Sequence, residues 1–72
     1  MSLTVPHLPM RIQRTSGSVL QISFGERVVG FVEKVGMVYV SLLGARYDTA
    51  TEVGQSMDAD SAGRAVVRAA EL

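Results

Sequence analysis

The 72 residues carry seven basic and seven acidic side chains, a net charge of zero, and 47% hydrophobic residues. This composition is typical of a folded domain, and the length permits one domain with a small core. Because the chain has no Cys and one His, neither a disulfide nor a structural zinc site can stabilise it. No apolar run approaches the roughly 18 residues of a membrane span, and the N-terminus lacks a signal-peptide pattern, so we expect a cytoplasmic protein.

The N-terminal segment contains both prolines of the chain, Pro6 and Pro9. Proline fixes its own backbone angle and restricts the preceding residue, so helix is disfavoured on both sides. We therefore predict an extended N-terminal arm over residues 1–9, followed by a single sheet-plus-helix domain over residues 10–72. Several aliphatic side chains in the arm would allow it to fold over an apolar surface of the domain.

Four short β-type runs follow the arm, separated by turns that contain Gly. The runs are Met10–Arg14, Ser18–Phe24, Arg27–Lys34 and Met37–Leu43. Two-residue turns at Gly25-Glu26 and Val35-Gly36 would place alternating apolar residues on one face of an antiparallel sheet. These two turns place Leu20, Ile22, Phe24, Val29, Phe31, Val38, Val40 and Leu42 on this face, and a three-residue turn at Thr15-Ser16-Gly17 would add Met10 and Ile12.

The C-terminal segment has the signals of a helix. Asp58 is suited to the N-cap of a helix from Ala59 to about Ala70, because its side chain can accept from a backbone N–H group of the first turn. The helix would cover the apolar sheet face with a stripe of small residues. This stripe consists of Ala62, Ala65, Val66 and Ala69. We therefore predict an α+β fold, a four-stranded antiparallel β-meander with one C-terminal helix packed on one face.

In this register the second face of the sheet is too apolar for a surface in contact with water. Its partner-binding candidates form a contiguous patch of Val28, Val32, Met37, Tyr39 and Leu43. We expect this face to bind a partner, either a second copy of the chain in a homo-oligomer or a host protein, unless the N-terminal arm covers it. The favoured function is a small non-enzymatic interaction module.

The alternative function is nucleic-acid binding through the sheet face and basic residues. The candidates are Arg11, Lys34, Arg46, Arg64 and Arg68. A net charge of zero provides no global attraction to phosphates, so any basic surface is local. Binding of this kind would weaken steeply with salt, because neutralised phosphates release counterions.

The sequence shows no pattern that indicates catalysis, a metal or a cofactor. It has no phosphate loop and no nucleophile elbow, and its acidic residues lack the spacing of a calcium loop. The single His7 lies in the arm, where an ordinary surface role is expected. We predict no catalytic residue, cofactor or small-molecule substrate. The polar segment 44–57 is predicted to be a long loop that Tyr47, Val53 and Met57 could anchor.

The segment from Gly30 to Asp48, GFVEKVGMVYVSLLGARYD, precedes a polar segment and a helix rich in Ala and Arg. It resembles short proteins of unknown function encoded by actinobacterial phages and prophages. In layout alone, residues 27–70 also resemble the sheet-plus-helix domains by which phage integrases bind arm-site DNA. The resemblance implies a phage origin and, through the integrases, DNA contact by the exposed strands. Those integrase strands usually carry more basic residues than the strands of this chain.

Overall fold

The computed structural model describes residues 10–70. Its elements are β1 (Met10–Ser16), β2 (Val19–Phe24), β3 (Arg27–Val35), β4 (Val38–Leu43), a 3-10 helix (Tyr47–Thr49), β5 (Thr51–Ser56) and α1 (Ala59–Ala69). The strands pair antiparallel in the order β1-β2-β3-β4-β5, and α1 packs on one face. The predicted α+β meander with a C-terminal helix is confirmed, with five strands in place of four. The predicted arm lies outside the described residues.

The turns of two tight hairpins each begin with a glycine whose backbone φ lies in the left-handed region. Gly25 has a φ of 63° and Gly36 a φ of 62°, and each is the first residue of a two-residue turn. The predicted turn at Gly25-Glu26 is confirmed. The predicted turn at Thr15-Ser16-Gly17 is wrong, because β1 continues through Ser16 and Gly17-Ser18 connects it to β2. The second turn is at Gly36-Met37, not at Val35-Gly36, because the first turn position is the one that requires a positive φ.

A β-bulge at Val29 decides which side chains of β3 and β4 face the helix. Ser23 pairs with Val28, whereas Ile22 pairs with Gly30, so Val29 is an extra residue on β3. The predicted face is right for β1, β2 and Val29, but the strand beyond the bulge presents its other side to α1. The prediction is wrong for Phe31, Val38, Val40 and Leu42, which lie on the side of the sheet away from α1.

The core lies between α1 and the sheet. Its buried cluster consists of Ile22, Val29, Val32, Ala62 and Val66. Full burial of an aliphatic side chain stabilises a fold by about 1.5–3 kcal/mol, so these few residues supply a large part of the driving force for folding. The helix packs mainly over β3, β4 and β5, and less over β1 and β2.

A glycine and a serine allow the helix to lie close to the sheet. A Cβ atom at Gly30 would clash with the carbonyl oxygen of Leu42 and with Cγ1 of Val66. Ser41 is completely buried, and its hydroxyl donates to the carbonyl oxygen of Ala62 at 2.9 Å. Since a buried hydroxyl is costly without a partner, this bond explains how a polar residue is accommodated beneath the helix.

The predicted helix and its N-cap are confirmed. The Asp58 side chain accepts from the backbone N–H of Ser61 at 2.8 Å. In the predicted apolar stripe, Ala62 and Val66 are buried, and the other two alanines are half-buried. Among the helices of residues 10–70, none is long and apolar enough to cross a membrane.

The segment 44–57, predicted to be a loop, contains β5. This strand pairs with β4 from Leu43 opposite Thr51 to Tyr39 opposite Ser56. Its sequence, TEVGQS, is polar and interrupted by a glycine, and most of its side chains are exposed. The prediction failed because β5 is an edge strand that lacks the alternation of a half-buried strand.

Candidate interaction surface

The five predicted partner-binding residues do not form one exposed patch. Val32 is completely buried beneath α1, and Tyr39 and Leu43 pack against the core. Val28 is half-buried, and Met37 is 81% exposed in the turn between β3 and β4. The prediction of one exposed patch is wrong. The β-bulge at Val29 changes which side of the sheet the following residues occupy, so Val32, Tyr39 and Leu43 face the helix.

The side of the sheet away from α1, the outer face, nevertheless carries apolar side chains. Val38, Val40 and Leu42 lie on this side of β4 and are half-buried. Val35, opposite Val38 on β3, is 52% exposed. We call these four residues the apolar strip. An apolar second face therefore exists, but different residues form it.

Tyr47 covers the centre of the outer face. Its ring packs edge-on against Phe31, with ring centroids 5.8 Å apart and an interplanar angle of 83°. Phe31 is only 6% exposed, whereas Tyr47 remains 45% exposed. Tyr47 thus anchors the segment after β4, as predicted. Val53 and Met57, the other predicted anchors, are 40% and 73% exposed.

A hydrogen bond holds Tyr47 in place. Its hydroxyl donates to Oε1 of Glu33 at 2.7 Å. This bond raises the pKa of Tyr47 above its ordinary value of 10.0, and desolvation and the negative charge of Glu33 act in the same direction. Tyr47 therefore keeps its proton at neutral pH and remains a donor to Glu33.

Charged side chains lie at opposite margins of the outer face. Arg11 on β1 pairs across the strands with Ser23, and Glu52 on β5 pairs with Leu42. The side-chain amide of Gln55 donates to Glu52 at 3.1 Å. Because β1 and β5 are the edge strands, one margin is positive and the other negative. Glu52 is missed by sequence analysis because its segment is predicted to be a loop.

The structure does not bring the five predicted nucleic-acid-binding residues together. Arg11 lies on the outer face, Lys34 on the side of α1, and Arg46 in the segment after β4. Arg64 and Arg68 are exposed on the helix. Arg46 and Arg64 form ion pairs with neighbouring aspartates, at 3.7 and 2.8 Å. These positions do not form a single basic surface.

Within residues 10–70, no group of three His, Cys, Asp or Glu side chains could hold a metal ion. Every buried side-chain nitrogen or oxygen in this part of the chain has a hydrogen-bond partner. His7, the single histidine of the chain, lies outside the described residues. The outer face is an apolar second face of the sheet, as the sequence predicts, but residues other than the predicted ones form it.

The fold and this surface define a small α+β domain with an open five-stranded antiparallel sheet. One side of the sheet is closed by a helix, and the centre of the other is covered by one tyrosine. Comparison with known proteins found no family model, no curated protein and no solved structure that matches the chain.

Proposed function

We propose that this chain is a non-enzymatic interaction domain that pairs with a second copy of itself through the outer face. The apolar strip carries the proposal. Val38, Val40 and Leu42 lie on a side of β4 that α1 does not cover, and Val35 is 52% exposed beside them. Exposed apolar patches mark interaction sites, because covering them removes apolar surface from water.

Tyr47 provides an ordered aromatic centre for such an interface. Its ring is supported by Phe31 and its hydroxyl is held by Glu33. Tyrosine is enriched among the interface residues that contribute most to binding. A side chain that is already held in place loses little conformational freedom on association, so more of its contact energy is available for binding.

The charge distribution favours a second copy of the chain as the partner that binds the outer face. The net charge of the chain is zero, so two copies do not repel each other as wholes. A two-fold axis parallel to the strands and close to β3 would place β1 of one copy over β5 of the other. Arg11 of each copy would then face the margin that carries Glu52, and a symmetric dimer would contain this arrangement twice.

The dimensions of the sheet predict a weak dimer. Five strands about 4.8 Å apart, with about six residues of roughly 3.3 Å each, give a face of about 480 Å² in projection. A typical stable interface buries about 800 Å² of accessible surface on each partner. We therefore expect a dissociation constant in the micromolar range or higher.

Sedimentation velocity over a concentration series tests the proposal. The unmodified chain should convert from monomer to dimer as its concentration rises. Val40→Lys should remain monomeric, because the interface would have to bury a charged side chain, beside Glu33, in place of an apolar one. Met37→Lys is the matched control, since it makes the same kind of change at an 81% exposed turn position outside the apolar strip. Its dimerisation should be unchanged, and far-UV circular dichroism verifies that both variants fold.

Charge reversal tests the arrangement of the two copies. Arg11→Glu and Glu52→Arg should each weaken the dimer, and the double variant should restore it because opposite charges face each other again. A chain that stays monomeric at every soluble concentration would contradict the proposal. An equal loss of dimer in Met37→Lys would show that the outer face is not the interface.

A further inference from the structure

A cleft lies on the side of the sheet opposite the outer face. The β1–β2 turn, the end of β3, the beginning of β4 and the first residue of α1 surround a volume of about 340 Å³. The residues that line it include the apolar Leu20 and the aromatic Tyr39, the cationic Arg14 and Lys34, and Ser18. We call it the basic cleft.

Two cations line the basic cleft, and within the described part of the chain no carboxylate does. Among residues 10–70, the ion pairs involve Arg46 and Arg64, but neither Arg14 nor Lys34. One guanidinium N–H of Arg14 donates to the carbonyl oxygen of Gly17 at 3.1 Å. This bond positions the side chain and leaves its other N–H groups available to a ligand.

Three carboxylates are adjacent in sequence to lining residues, and each is engaged elsewhere. Glu33 accepts from Tyr47 on the outer face, and Asp60 pairs with Arg64. Asp58 precedes Ala59, which lines the cleft, and its two oxygens accept from the N–H and hydroxyl of Ser61 at 2.8 and 3.1 Å. The ammonium of Lys34 lies 5.8 Å from the centre of the Tyr39 ring. This cation–π contact places the charge beside the apolar wall of the cleft.

We propose that the basic cleft binds a small organic molecule with a phosphate monoester group. Such a group carries a charge of about −1.5 to −2 at neutral pH, which Arg14 and Lys34 together match. The guanidinium fork suits phosphate oxygens, and the hydroxyl of Ser18 offers a further donor. This site is independent of the proposed dimer, because it lies on the other side of the sheet.

The size and lining of the cleft indicate more than a bare phosphate. Pockets for small molecules commonly have volumes of about 300–1,000 Å³, and the cleft falls within this range. An apolar part of the ligand would contact Leu20 and Tyr39. A nucleic-acid strand, by contrast, gains affinity from several phosphate contacts along its backbone, and this cleft provides two cations at one place.

Titration with phenyl phosphate, followed by amide NMR spectra at constant ionic strength, tests the site. Saturable shifts are expected at Gly17, Ser18 and Lys34. Inorganic phosphate should shift the same amides with lower affinity, because it lacks an apolar part. Phenol should leave them unchanged, because it lacks the charge. An oligonucleotide without terminal phosphates should bind more weakly than phenyl phosphate.

Substitutions assign the binding to the cleft. Arg14→Gln and Lys34→Gln should each weaken phenyl phosphate binding about tenfold, because each removes a charged partner of the phosphate. Arg11→Gln and Arg68→Gln, which change exposed arginines elsewhere, should have no effect. The proposal would be overturned by amide shifts spread over all arginines or by an equal loss of affinity in the control variants. A response to phenol, or tighter binding of the oligonucleotide than of phenyl phosphate, would also overturn it. Val40→Lys should bind normally, so failure of the dimer does not affect this test.

Discussion

Gly30 and Gly63 both lie where α1 contacts the sheet, but their surroundings differ. At Gly30 an added Cβ would clash with main-chain atoms of Leu42, which cannot move without breaking the β3–β4 pairing. At Gly63 it would lie 3.3 to 3.5 Å from the ends of flexible side chains. Those neighbouring atoms are Cδ1 of Ile22, Cδ1 of Ile12 and Sδ of Met10.

Alanine at these two positions should therefore affect the free energy of unfolding differently. Gly30→Ala should lower it by about 3 kcal/mol, at the upper end of overpacking costs. Gly63→Ala should leave it unchanged or raise it by up to about 1 kcal/mol, since alanine favours helix over glycine. Urea denaturation measures both, and each variant controls for the other. Equal losses would show that Gly63 is also sterically required.

The hydrogen bond from Tyr47 to Glu33 predicts a pH dependence of stability. Because the pKa of Tyr47 is raised above 10.0 in the folded chain, the bond contributes fully below the unfolded value and is lost as pH rises through the folded value. In phenolate absorbance, the component that disappears in Tyr47→Phe should titrate above pH 10.0. Glu33→Gln should lower its midpoint. A Tyr47 transition at or below 10.0 would contradict the predicted raised pKa.

One extra residue in β3 changes which side chains of β3 and β4 face the helix. Two consecutive valines precede Gly30, and either could continue a regular strand. With the bulge at Val29, Gly30 lies beneath Val66, and the larger Phe31 lies on the outer face, where Tyr47 covers it. The bulge therefore determines both the core and the apolar strip.

The N-cap of α1 can be tested against a neighbouring acid. Asp58→Ala should lower the free energy of unfolding by about 1 kcal/mol, because Ser61 loses its acceptor in the first turn. Asp60→Ala is the matched control, since Asp60 forms an exposed ion pair with Arg64 at 2.8 Å. Such exposed helical pairs contribute about 0.5 kcal/mol or less. Comparable losses in urea denaturation would contradict the capping role.

At the scale of the whole molecule, the sheet separates the two proposed sites. The outer face would pair with a second copy, and the basic cleft opens on the side of α1. Dimerisation stabilises the folded chain by mass action, so its thermal midpoint should rise with protein concentration. The midpoint of Val40→Lys should not depend on concentration. The thermal midpoint tests the dimer independently of sedimentation, because it measures the stability that association adds to the folded chain.

Local sequence was sufficient for β1 to β4, the turn at Gly25 and α1 with its N-cap. Each of these depends on residue type and on neighbours a few positions away. For the second hairpin the sequence indicates Gly36 as the turn residue, but the predicted turn is shifted by one residue from the observed one. The anchoring role of Tyr47 was also anticipated, although its partners Phe31 and Glu33 were not.

Tertiary structure decided which sides of β3 and β4 face the helix, the pairing of β5 and the assembly of the basic cleft. A bulge changes these sides without leaving a clear local signal, because adjacent valines suit both arrangements. The polar β5 is held by pairing with β4 and by its contact with α1. Arg14 and Lys34 are distant in sequence and meet only because β1, β2 and β3 pair side by side.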